Sequence, residues 1–298
     1  MLDFRIETFL AVCRYLNFTR AAEALCMTQP AVTRHIHFLQ DYYGVKLFTY
    51  KGKRLTLTPE GEQLRWAALA MCHDEEKLKR ELQGRRGMDR PIRFGATMSI
   101  GEYAMPAHLS GYLSRHPDAD IYMTVDNTQH LLDALDRGDL DFAVVEGYFT
   151  RSEFDSIPWS SEPFFCVCAA NYALPNGTLS IEDLLGENLI LRTPGSGSRE
   201  VLVHALAEQN CYVSDFRHTI QISDLHVIKE LVKNGCGITF LYGRAVGREL
   251  EEGSLRQVPV QGFPIYHEFT FLWRKGSIFE SEFRSLFEEL CGFPQANA

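Results

Sequence analysis

Phe18-Thr-Arg-Ala-Ala-Glu-Ala-Leu-Cys-Met-Thr-Gln-Pro-Ala-Val-Thr-Arg34 is the stretch from which the rest of the chain is read. Thr19 can N-cap a short helix whose small alanines allow a neighbouring helix to approach closely. After a tight connection at Cys26-Met27, Thr28 offers a second cap. Pro30 then falls in the first helical turn, where its missing N–H costs nothing, and the pattern runs to Tyr43 before Gly44 stops it. Upstream, Phe4, Ile6, Phe9, Leu10, Val12, Cys13 and Leu16 recur at helical spacing and predict a helix over residues 4–16. Three helices around a small core result. On the third, Ala31, Val32, Ile36, Leu39 and Gln40 take inward or flanking positions, and Gln29, Thr33, Arg34 and His37 share the opposing polar face. Gln pairs bidentately with adenine and Arg with guanine, while Thr offers a hydroxyl or a methyl. The helix start at Thr28 and Pro30 favours phosphate. For one isolated helix the competing reading is an ordinary solvated face.

The neighbouring segment favours contact with nucleic acid. Leu47-Phe48 and Leu55-Thr-Leu57 read as short strands, and the turn between them carries Lys51, Lys53 and Arg54, a cationic hairpin suited to a DNA backbone and minor groove. Residues 1–58 hold eight Lys/Arg against four Asp/Glu, a net of +4, whereas residues 91–298 hold fifteen against twenty-eight, a net of −13. The overall charge of −9 therefore hides a basic head on an acidic body. Thr58-Pro-Glu60 combines a cap, a first-turn proline and an acid, starting a helix that continues to about residue 83. Leu64, Met71 and Leu78 repeat every seven residues, and Ala68, Glu75 and Leu82 form a second seam that Glu75 weakens. The alternative is a helix packed on its own body. Residues 84–90, polar and glycine-bearing, read as a hinge.

The remaining residues alternate strand and helix. Strands are predicted at 92–94, 121–125, 142–145, 164–168, 189–191, 219–222, 238–241, 258–260 and 269–273, with helices at 100–115, 129–136, 199–209, 225–234 and 279–290, an α/β pattern that favours parallel sheets. With 298 residues and 34.0 kDa the chain has room for about two domains. Its longest apolar runs fall far short of a bilayer span, and its first residues lack a basic, then apolar, leader, so a cytoplasmic protein without membrane contact is expected. The eight cysteines are scattered and contain no C-x-x-C. Cys166 and Cys168 would share one face of a strand as buried thiols, with redox sensing the alternative.

Ligands of open α/β sheets sit beyond strand carboxyl ends, and here those points are rich in hydroxyls. Thr97, Ser99 and Ile100 follow the first strand of the body, Thr128 the second and Glu146 the third. Thr193, Ser196 and Ser198 lie in Thr193-Pro-Gly-Ser-Gly-Ser-Arg199. Each hydroxyl alone reads as a cap; their repetition reads as a ligand cleft. No dinucleotide fingerprint, hydrolase elbow or metal spacing accompanies them: Glu200 replaces the third glycine, Ser196 and Ser198 are outside G-x-S-x-G, and the histidines have no ligand spacing. Catalysis, a metal and a cofactor are therefore not expected. A solute-binding protein would share the body but not the basic head, and an α/β enzyme would need a nucleophile and base that the sequence does not pair.

Phe9-Leu-Ala-Val-Cys, Phe18-Thr-Arg-Ala-Ala-Glu-Ala-Leu, Thr28-Gln-Pro-Ala-Val-Thr-Arg, Gly44-Val-Lys-Leu-Phe and Leu55-Thr-Leu-Thr-Pro-Glu-Gly61 together resemble the LysR-type transcriptional regulators. The resemblance implies an α/β chain with an N-terminal winged helix-turn-helix DNA-binding domain (1–58), a linker and dimerisation helix (59–83), the hinge (84–90) and an effector-binding domain (91–298). The last is implied to be two Rossmann-like subdomains of the type II periplasmic-binding-protein kind, I (91–160 and 267–298) and II (161–266), with the chain crossing near Ser160 and returning near Tyr266. Implied partners are double-stranded operator DNA, a small-molecule effector and a second copy of the chain, as homodimer or tetramer; RNA polymerase is a further partner the resemblance admits. Ser99-Ile-Gly-Glu-Tyr, Val145-Glu-Gly and Leu191-Arg-Thr-Pro-Gly-Ser-Gly-Ser-Arg look most like the branch associated with sulfur or other inorganic-anion metabolism. A small oxyanion or carboxylate is the expected effector.

Overall fold

The computed structural model describes residues 3–83 and 91–292; the expected hinge lies outside the described residues. In the head, α1 (Phe4–Tyr15) starts where the Asp3 carboxylate accepts the Arg5 N–H (2.9 Å). Next, α2 (Phe18–Ala24) is capped by Asn17, whose side chain accepts from Thr19 N (2.9 Å) and Arg20 N (3.0 Å). This corrects the cap expected at Thr19: an asparagine two residues earlier reaches the free amides first. Then α3 (Gln29–Tyr43) has Thr28 at its N-cap position, though the Thr28 hydroxyl makes no capping bond, and it ends at Gly44 with φ 69°. A hairpin follows, β1 (Phe48–Lys51) and β2 (Arg54–Leu57), pairing Phe48 with Leu57 and Lys51 with Arg54 around Gly52. Phe9, Val12, Ala21, Val32, Ile36, Leu39 and Leu47 fill the core beneath.

From the hairpin the chain passes directly into α4 (Pro59–Gln83). Thr58 fixes the junction, since its hydroxyl donates to Lys46 O (2.6 Å) and accepts from Gly61 N (2.9 Å). The Leu47 carbonyl presses so closely on Gly61 that any β-carbon there would overlap it. One face of α4 docks on the body through polar anchors. Arg65 pairs with Glu153; the His73 ring meets Leu140 O (3.0 Å); Asp74 accepts from Ser277 Oγ (2.6 Å) and Ile278 N (2.9 Å); Lys77 lies between Glu81 (3.0 Å) and Glu282 (2.8 Å). Arg80 binds Asp141 and Gly138 O. The opposite face leaves Met71, Leu78 and Leu82 exposed. Ala68, by contrast, is buried with the core of the head and Leu64 packs against it, so each expected seam is divided between the head core at its start and solvent further on.

The body begins with β3 (Ile92–Thr97), α5 (Met98–Tyr103), α6 (Met105–Arg115), β4 (Ile121–Asp126), α7 (Thr128–Asp136) and β5 (Phe142–Val145). The single helix expected over residues 100–115 is broken at Ala104, because Pro106 has no N–H to give and crowds the preceding turn. The crossing strand β6 (Phe154–Ala169) leads to α8 (Ile181–Leu184), β7 (Asn188–Arg192), α9 (Gly197–Glu208), a 3-10 turn (Val213–Asp215), β8 (His218–Ile222), α10 (Leu225–Lys233), β9 (Thr239–Tyr242), α11 (Gly243–Glu251) and β10 (Leu255–Gln257). The return strand β11 (Ile265–Arg274) and α12 (Glu280–Cys291) close the chain. The strand expected at 258–260 instead lies one step earlier, as β10; Pro259 leaves only an isolated bridge from Val260 to Leu179.

Strands β4, β3 and β5 are parallel neighbours, and so are β7 and β8. The rest departs from the parallel expectation. β6 and β11 run antiparallel from Ile265 opposite Phe164 to Arg274 opposite Phe154, and β9 and β10 add antiparallel to the far end of β6. The result is a mixed sheet whose two longest strands pass from one half of the body to the other. Their register slips between Phe269 and Thr270, opposite Ser160 and Pro158. The strand–helix alternation predicts parallel neighbours well but carries no information about two crossovers placed side by side. Cys166 and Cys168 sit fully buried in the main core, as expected, and burial pushes both thiols up, away from the reactive thiolate.

Candidate functional site

Two sets of polar residues stand out, one open and one closed. On the head, Thr28, Gln29, Pro30, Arg34 and His37 are exposed and Thr33 half-exposed along one face of α3. Gln29 Nε2 donates to Thr33 Oγ1 (2.9 Å), which holds the amide flat against the helix. His35, by contrast, turns inward against Phe4 and the Thr8 hydroxyl (2.9 Å). Lys51, Lys53 and Arg54 are exposed at the hairpin tip. Gln40 ties α3 to the hairpin by accepting Leu47 N (2.9 Å), so the helix face and the cationic tip move as a unit. Such an array can place bidentate donors in a major groove with cations on the flanking backbone.

The second set lies at the seam between the two halves of the body. Thr97 ends β3, Ser99 lies in α5, Thr128 opens α7 and Glu146 follows β5; across the seam, Ser196 is the N-cap of α9 and Ser198 its second residue. All six are buried. Thr97 Oγ1, Thr128 Oγ1, Ser196 Oγ, Ser198 Oγ and Glu146 Oε2 have no hydrogen-bond partner. The structure thus brings together six of the eight sequence-predicted residues. Thr193 is only half-buried beside them, and Ile100 sends its side chain into the main apolar core instead of the seam.

Sequence reasoning missed Arg192. Lying at the carboxyl end of β7 with 5% exposure, it leaves Nε and one terminal nitrogen unpartnered. Its position directly after a buried strand was the available signal. Burial pushes the Glu146 carboxyl up to about 7, against the opposing pull of the Ser99 hydroxyl, Arg192 and the Ser198 N–H. The seam is shut by backbone contact: a β-carbon on Gly197 would stand 2.7 Å from Gly147 N, and one on Gly147 would stand 3.0 Å from Gly197 Cα. Two further contacts flank it. The Tyr148 ring meets that of His204 of α9 at a tilt (centroids 4.4 Å apart), and Lys229 joins Glu249 (2.8 Å) while lying over the Tyr103 ring of α5 (4.5 Å).

Among the described residues no group of three or more His, Cys, Asp or Glu could hold a metal, and no helix is long and apolar enough to cross a membrane. A donor-bearing reading head on a docked helix, with a buried polar seam in a two-part body, defines a ligand-responsive DNA-binding regulator. Residues 5–62 match the bacterial regulatory helix-turn-helix protein, lysR family, and residues 85–291 match the LysR substrate binding domain; the chain belongs to the LysR family of transcriptional regulators, which are not enzymes. It is 29% identical over 270 residues to the HTH-type transcriptional regulator YeiE of Escherichia coli (strain K12), covering 91% of this chain and 89% of that one. To the HTH-type transcriptional regulator CysL of Bacillus subtilis (strain 168) it is 27% identical over 270 residues, covering 90% and 89%. Among solved structures, a hydrogen-peroxide-bound OxyR mutant of Corynebacterium glutamicum aligns with TM-score 0.61 at 22% identity, covering 97% of this chain and 91% of that one. Full-length LysG of the same organism, with bound effector Arg, aligns with TM-score 0.60 at 16% identity, covering 98% and 97%. At these identities the two structures speak for the fold.

Proposed function

We propose that this regulator reads operator DNA with Gln29, Thr33, Arg34 and His37, flanked by phosphate contacts from Thr28 and the hairpin cations with Pro30 packed against the backbone at the helix start, and that it answers to a small oxyanion or carboxylate held in the seam. The observation that carries the effector reading is the set of buried polar atoms without partners around Arg192. A buried unsatisfied group costs about 1–3 kcal/mol, so a ligand that completes several of these bonds gains strongly. On this reading the seam separates two subdomains, with the chain crossing between them near Ser160 and returning near Tyr266. Parting the shut seam to admit a ligand changes the surface presented to the docked linker helix and so to the head.

The test is calorimetry and thermal shift of the full chain against small oxyanions and carboxylates. Saturable binding that Ser196→Ala weakens supports the site; tight binding only of an uncharged or large aromatic ligand, indifferent to that change, refutes it. The exposed stripe of Met71, Leu78 and Leu82 on α4 is the surface on which two copies pair as a homodimer, from which a tetramer can build. Aspartate at Met71 and Leu78 should yield monomers in light scattering and lose operator binding, and an unchanged assembly would place the pairing surface elsewhere.

A further inference from the structure

Arg192 and the unpartnered hydroxyls suit an anion, yet Glu146, 1% exposed, turns an oxygen without a partner into the same seam. An oxyanion beside a carboxylate brings two acceptors face to face. Hydroxyls can rotate to donate to either, but the acceptor–acceptor contact remains unless a proton lies between them. The groups facing the carboxyl are few: the Ser99 hydroxyl from α5, the Ser198 N–H from α9, Arg192 from β7 and the Tyr242 hydroxyl from β9. The Thr97 side chain, at the end of β3, also pulls on the carboxyl, though its hydroxyl completes no hydrogen bond of full geometry. Arg192 is the cation that acts on it, and it is needed by the ligand as well. Tyr242 is itself buried with an unpartnered hydroxyl.

We infer that Glu146 is a specificity-determining residue that makes the seam select anions carrying their own hydrogen-bond donor, since one proton must lie between its carboxyl and the ligand. The inference rests on the anion reading of the seam given above. A donor-bearing anion, such as hydrogen phosphate or a hydroxycarboxylate, brings the proton with it and donates to Glu146 Oε2. An aprotic anion, such as sulfate or acetate, must be accompanied by a proton taken from solvent onto Glu146. Because burial holds that carboxyl near neutrality, the second route is open in mild acid and closes in mild base.

Two matched pairs test this by calorimetry on the full-length chain: phosphate against sulfate, and glycolate against acetate. At about pH 8.5 the donor-bearing member of at least one pair should bind at least about tenfold tighter, and the gap should shrink at about pH 6 as the aprotic member gains affinity. Glu146→Gln, whose amide donates at any pH, should close the gap to within about threefold and remove its pH dependence. If that variant does not fold, the unmodified protein decides alone through its pair ratios at the two pH values. Ser99→Ala should weaken both members of a pair and leave their ratio unchanged. Aprotic anions binding as tightly as their partners at both pH values, or a gap that survives Glu146→Gln, overturns this inference and leaves the anion reading standing. Failure of all four anions to bind overturns both.

Discussion

The head displays its functional groups to solvent, whereas the body hides its own. Arg34, His37 and the hairpin lysines stay hydrated while they wait, so they add nothing to the instability of the free protein, and their value appears only against DNA. The six seam residues and Arg192 have already lost their water, and several polar atoms gained nothing in return. On the proposed reading, recognition in the head is set by geometry and charge, and in the body by hydrogen bonds left open. Perturbations should separate the two regions cleanly.

The largest effect is expected where the body joins its linker. Arg274, 1% exposed, meets Asp136 at 2.8 Å and Glu153 at 3.7 Å, and Glu153 also holds Arg65 of α4. Arg274→Met should cost about 3 kcal/mol in chemical denaturation at neutral pH, since it leaves the half-buried Asp136 and Glu153 carboxylates without their cation. The loss should be smaller at pH 5, where Asp136, pushed up to about 6 by burial, takes a proton. A loss below about 1 kcal/mol would show that solvent already screens this cluster.

Glu146 gives the next effect. Its folded-state value is raised from 4.5 to about 7, so the folded protein holds the proton more tightly, and the stability this lends below pH 4.5 is lost as pH rises through 7. Relative to Glu146→Gln, the unmodified protein should lose about 3 kcal/mol between those limits, measured by denaturation without effector. Parallel pH profiles for the two proteins would place the Glu146 carboxylate in contact with water.

In the head the effects are smaller and concern DNA instead of folding. Arg34→Ala should cost about 1–3 kcal/mol on operator DNA and relax specificity at one base pair, read by competition binding. Equal losses on operator and random DNA would make Arg34 a backbone contact. Lys53→Ala should weaken all sequences alike and reduce the slope of log affinity against log salt by about 0.9. Neither change should move the denaturation midpoint, and a shift there would blur the contrast between the regions.

The sequence made the head legible almost residue by residue, because short helices, caps and a glycine stop are local signals. Its one misplaced cap, Thr19 for Asn17, was a competition between two good cappers two residues apart. The body was legible as alternating elements but not as a sheet. Pro158 and Pro163 obscured the sixteen-residue strand that carries the chain across, and Gly243 and Gly247 lower helix propensity in α11, which went unread. At the seam, hydroxyls at strand ends were visible as a pattern. Arg192 escaped because a charged residue closing an apolar strand usually marks the return to solvent, and only the tertiary arrangement shows this one enclosed.

The close approach of Leu47 to Gly61 makes the head and α4 a single rigid arm. A helix of 25 residues is about 37 Å long at 1.5 Å per residue. Once the Arg65–Glu153 pair gives way, a tilt of about 5° about the carboxyl-end anchors at Lys77 and Arg80 carries the reading helix sideways by about 3 Å, close to the 3.4 Å that separates neighbouring base pairs along the duplex. Angular play too small to notice at the seam is thus magnified into a whole step of reading frame at the operator, and in a pair of arms the displacement changes the spacing of the two half-sites the molecule can grip.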